Sequence, residues 1–60
     1  MTDETLKVAI AEARRFIRLA TAARQRLQED GHGNGSKESG ACRRSSMDLT
    51  RALADVRRSS

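Results

Sequence analysis

Leu6-Lys7-Val8-Ala9-Ile10-Ala11-Glu12-Ala13-Arg14-Arg15-Phe16-Ile17-Arg18-Leu19-Ala20-Thr21-Ala22-Ala23-Arg24-Gln25-Arg26-Leu27 is the stretch that decides the fold. Within it Leu6, Ile10, Ala13, Ile17, Ala20 and Leu27 follow an alternating four-three spacing, and Arg24 occupies the one position that breaks it. Three heptads of this kind lay one apolar seam along a helix. Ala9, Phe16 and Ala23 widen the seam on one side, which suits a helix packed in a bundle better than an isolated two-stranded zipper. Leu6 to Ile10 also alternates weakly, as a strand would. That alternation ends at Ile10, whereas the heptad spacing continues for three further turns.

Working outward, Thr2 is placed to cap this helix, with Asp3 and Glu4 in a first turn where the helix dipole favours acids. No glycine or proline interrupts the chain before Gly31. The spacing therefore predicts a long helix over about 3–29. All four glycines fall between Gly31 and Gly40, interleaved with Ser and Asn, so about 30–44 reads as a flexible linker, with Gly31 at the left-handed position that ends a helix. Ser45, followed three residues later by Asp48, resembles a capping box and predicts a second, short helix over about 46–58. Met47, Leu49, Ala52, Leu53 and Val56 fall on one face of it, with Arg51, Asp55 and Arg58 outside. Arg57 and Arg58 close it, where cations suit the dipole. The expected fold is all-α: one helical-hairpin domain over 1–60 with an internal linker.

Sixty residues with 22 apolar side chains, nine of them alanine, supply little material for a core. Chains of this size usually need disulfides, a metal or a partner. A single cysteine excludes an internal disulfide. One histidine and one cysteine argue against a closed zinc site, and no metal or cofactor is expected. Self-association is what remains. A first helix of ~40 Å beside a second of ~20 Å would leave Leu6, Ile10 and Ala13 uncovered. A two-fold dimer forming a four-helix bundle is the simplest closed solution. The expected self-association and core residues are Leu6, Ile10, Ala13, Phe16, Ile17, Ala20, Leu27, Leu49, Leu53 and Val56.

The net charge of +4 is uneven. Residues 14–28 carry five arginines and no acid, and residues 41–60 carry five more against Asp48 and Asp55. If a short second helix returned from the linker, Arg57 and Arg58 would lie beside Arg14, Arg15 and Arg18. Those five guanidinium groups would form an anion or nucleic-acid contact suited to phosphate. The plainer alternative is a solvated basic face on an alanine-rich helix. Stacking on single strands wants exposed aromatics, and Phe16 is the only aromatic. A helix-turn-helix wants a far shorter connection than 30–44, and so does a ribbon-helix-helix. Membrane-surface binding by the first helix is disfavoured by its alanine content and its lack of Trp.

Catalytic constellations are missing from the pattern, and the expectation is a non-enzymatic protein. Cys42 and His32 both sit in the expected linker, without a fixed base, nucleophile or second ligand. Cys42 precedes Arg43 and Arg44 and suits modification more than catalysis. Glu12 reads as the ion-pair partner of Arg15. The glycines from Gly31 to Lys37 lack the preceding strand and the residue order of a phosphate loop. An acidic start and the lack of a long apolar run argue against a signal peptide or a membrane span, which leaves the cytoplasm as the expected compartment.

The run Glu38-Ser39-Gly40-Ala41, followed by Arg43-Arg44-Ser45-Ser46-Met47-Asp48-Leu49-Thr50-Arg51-Ala52-Leu53, resembles the tail of short phage and prophage proteins from high-GC bacteria. The resemblance covers about residues 36–58 and holds no catalytic motif. It implies a long helix, a glycine-bearing loop and a short helix, in a viral or prophage setting. Most proteins of that kind have no assigned function, so it implies context and not mechanism.

Overall fold

In the computed structural model, which describes residues 1–30 and 37–58, the chain is two α-helices packed against each other as a hairpin. Helix α1 spans Asp3–Asp30 and helix α2 spans Lys37–Arg58. The helices run side by side in a body measuring 43 × 15 × 12 Å between Cα positions. Expected Gly31 and His32 features lie outside the described residues.

The start of α1 follows from its hydroxyls. Thr2 Oγ1 accepts a hydrogen bond from the Thr5 N–H at 3.1 Å, while the Thr2 N–H donates to Thr5 Oγ1 at 3.0 Å. This is a reciprocal capping box with threonine at its third helical position. The Leu6 N–H donates to the Thr2 carbonyl at 3.1 Å and starts the helical ladder. Thr2 is thus the cap that the sequence indicates, and Thr5 completes it. Further along, Thr21 Oγ1 donates to the Ile17 carbonyl at 2.7 Å, and Thr50 Oγ1 to the Ser46 carbonyl at 2.9 Å. Helical hydroxyls satisfied in this way do not compete for other partners.

Helix α2 begins well before the expected 46, and this is the main correction to the fold. Its first residue is Lys37, so eight residues assigned by composition to the linker are helical. Ser45 is therefore not a cap. It lies mid-helix and is wholly buried against α1. The physical reason is packing: Ala41, Cys42 and Ser45 are small enough to sit against α1, and contact with a neighbouring helix outweighs weak propensity. Gly40 is the residue least suited to this helix, and a Cβ built there meets nothing within 4 Å. Gly40→Ala is therefore expected to stabilise the protein by ~1 kcal/mol through reduced backbone freedom in the unfolded chain. Thermal melting followed by circular dichroism checks it, and a lowered Tm would mean that α2 does not run through residue 40.

The longer α2 also replaces the length argument. Twenty-two residues span about 33 Å against about 42 Å for the 28 of α1, so most of α1 has a partner. Leu6 and Ile10 are exposed nonetheless. They are uncovered because they are rotated away from α2, not because α2 is too short. The contact line consists of a different row, in which Ala9 is 7% exposed and Thr5, Glu12, Phe16, Leu19 and Ala23 are half-buried. Opposite it lie Ser45 and Ala52, buried, with Glu38, Ala41, Asp48 and Val56 half-buried. Among the described residues the buried ones are two alanines and a serine, so the helix pair has almost no apolar core of its own.

Candidate functional site

The register of the pair follows from its polar side. The Arg15 guanidinium lies 3.6 Å from Asp48 and 3.9 Å from Glu12, the second being the ion pair expected from the sequence. Val8 and Glu12 share a cleft of about 170 Å³ with Asp48, Arg51, Ala52 and Asp55. A larger cleft of about 350 Å³ is lined by Arg15, Lys37, Gly40, Ala41 and Arg44. Val8, Glu12 and Arg15 thus face the same side as Lys37, Arg44, Asp48 and Asp55. That side is charged along its length.

Helical geometry then fixes the other side. In an antiparallel pair, one residue step beyond the contact row on either helix rotates the side chain about 100° toward a common flank. From the row Thr5-Ala9-Glu12-Phe16 that step gives Leu6, Ile10, Ala13 and Ile17. From the row Ala41-Ser45-Asp48-Ala52 it gives Cys42, Ser46, Leu49 and Leu53. One flank of the hairpin therefore presents large aliphatic side chains from both helices. Ile10 is 54% exposed and Ile17 63%, and Leu6, Leu27 and Leu53 are exposed as well. Ala13, Ala20, Leu49, Val56 and Phe16 are half-buried.

The expected self-association and core set thus divides in two. Leu6, Ile10, Ile17, Leu27 and Leu53 lie open to solvent, while the remaining five border the helix contact. Met47, which the sequence placed with Leu49 and Leu53, is exposed elsewhere, because one step back from Asp48 turns it about 100° out of the contact row, away from the aliphatic flank. What the sequence reading missed is the contact row itself. Its signal is a second four-three spacing, Thr5-Ala9-Glu12-Phe16-Leu19-Ala23, one residue out of step with the first and built of smaller side chains.

The five arginines expected to converge do not. Asp55 already lies across from Val8, so Arg57 and Arg58 are carried past it to the end of the hairpin where Asp3 and Glu4 begin α1. That leaves them roughly 15 Å along the axis from the turn of Arg14, Arg15 and Arg18. The cause is again the early start of α2, which shifts its end by two turns. Arg14 and Arg18 are exposed on α1, and Arg15 is turned toward α2. The basic residues that do meet are Arg15, Lys37 and Arg44, of which the charge runs singled out Arg15 alone.

Cys42 is free and half-buried on the aliphatic flank. Among the described residues, no group of three His, Cys, Asp or Glu side chains is placed to hold a metal ion, and no helix is long and apolar enough to cross a membrane. No protein-family model, curated protein or solved structure matches this chain.

Proposed function

We propose that this is a small cytoplasmic, non-enzymatic interaction protein that self-associates through the aliphatic flank of its hairpin, as a structural or adaptor component. The observation behind this reading is the flank itself, on which Leu6 and Ile10 of α1 stand beside Leu53 of α2, with Ile17 further along it and all four exposed. Large apolar side chains left exposed on one face are what an interface with a second copy would cover. Two such flanks stacked about a two-fold axis make a four-helix bundle with Leu and Ile at its centre. The resemblance to short phage and prophage proteins supports a place in a viral assembly, with a further protein as the other partner.

Sedimentation equilibrium over a range of concentrations tests this. The expected result is a mass of two chains at micromolar concentration, with helicity and mass lost together on dilution. A well-folded monomer with a concentration-independent Tm would overturn it. A nucleic-acid role is the second reading of the sequence. With the five-arginine patch divided between two places, what supports it is reduced to Arg14, Arg15 and Arg18.

A further inference from the structure

We propose that the cleft between Arg15, Lys37 and Arg44 binds a terminal phosphate group, of the kind carried by a phosphomonoester or a diphosphate. Its position on the charged side makes it separate from the self-association flank and independent of that reading.

The lining is the first argument. Three cationic side chains, one from α1 and two from α2, border a space of about 350 Å³ to which, among the described residues, no carboxylate contributes. Such a volume falls within the range of small-ligand sites. Among the described side chains, neither Lys37 nor Arg44 makes an ion pair within 4 Å. Arg15 has two, at 3.6 and 3.9 Å, both beyond hydrogen-bond distance and both at partly exposed groups. Contacts of that kind are weak, and most of the five N–H donors of the guanidinium remain for a ligand. Three cations held together in this way repel one another, and an anion among them removes the repulsion.

The floor of the cleft is the second argument. Gly40 and Ala41 offer no side chain beyond a methyl group, and nothing stands within 4 Å of where a Cβ at Gly40 would be. An oxyanion can thus approach the backbone of the first turn of α2. The positive end of the helix dipole lies in that turn and adds to the attraction. Arginine at two of the three positions favours phosphate through its planar fork of donors. The concentration of charge favours a doubly charged terminal phosphate over a phosphodiester, whose single charges are spread along a strand.

Contrast within the same side sharpens the assignment. The neighbouring cleft of about 170 Å³ is bordered by Glu12, Asp48 and Asp55 against Arg51 alone, so an anion is repelled there. Arg15 marks the boundary between the two.

Pyrophosphate is the probe, titrated calorimetrically into the full chain at low salt. We expect saturable binding of one ion per chain. Arg44→Gln should weaken it by about tenfold, the loss of one charge-assisted contact, and Lys37→Gln by a similar factor. Arg58→Gln removes the same charge at the other end of the hairpin and should change affinity less than twofold. Circular dichroism confirms that each variant is folded, since all three side chains are exposed. Equal weakening by Arg58→Gln would overturn the site, because binding would then follow net charge. No binding of pyrophosphate would overturn it too, as would duplex DNA competing for Arg44 more strongly than pyrophosphate at equal phosphate concentration.

Discussion

Replacing Ile17 with glutamate is expected to turn the protein into a largely unfolded monomer. Ile17 is the most exposed large aliphatic residue of α1, at 63%, so within a single hairpin the substitution removes almost no contact and should be nearly neutral. A second copy seated on the flank changes that. It encloses the new carboxylate in an apolar seam, and the two-fold symmetry does so twice. Desolvating an unpaired charge costs several kcal/mol, so a rise in dissociation constant of at least about a hundredfold is expected, equivalent to ~3 kcal/mol. Because, among the described residues, the hairpin alone buries only two alanines and a serine, helicity should fall with the mass. Met47→Glu supplies the comparison. Met47 is 67% exposed but faces away from the flank, and its variant should keep both mass and circular dichroism. If Ile17→Glu behaves like Met47→Glu, the flank is open in solution and self-association through it is wrong.

Ser45→Ala is expected to stabilise the protein by about 1–2 kcal/mol, a large gain for removing one oxygen. Ser45 has no exposed surface, and its hydroxyl finds no hydrogen-bond partner. Burying an unpaired hydroxyl costs roughly 1–3 kcal/mol, and alanine removes that cost while keeping the small volume that the contact requires. Alanine is also the better helix former by a few tenths of a kcal/mol. The midpoint of urea unfolding should rise with an unchanged slope, at fixed protein concentration. A fall in stability would show that the hydroxyl has a partner in solution, such as a buried water.

Much of this fold is legible in the sequence, and the parts that are not share one cause. The four-three spacing from Leu6 to Leu27, broken only at Arg24, specifies a long helix, and Leu49, Leu53 and Val56 specify a second. Thr2 specifies where the first begins. Choosing the contact row is harder, since α1 carries two four-three rows side by side. Reading by hydrophobicity favours the row of Leu and Ile. The hairpin instead closes on the row of Thr5, Ala9 and Glu12, because small side chains let two helices approach, and the larger ones are left on the flank. The same bias hides the start of α2, where Ser39, Gly40 and Ala41 have linker composition and pack as a helix. It also hides the phosphate cleft. Lys37 and Arg44 appear as linker charges until α2 brings them across from Arg15.

A contact row this thin also bears on the protein's lifetime in a cell. On the proposed reading, folding and pairing are one event, so the folded fraction depends on how many copies are present. Dilute chains would be open to proteases, and degradation of the open form removes them from the equilibrium. Newly made protein would then accumulate only after synthesis outruns clearance, and above that level each added copy would protect another. Two alanines and a serine would in this way set a minimum dose.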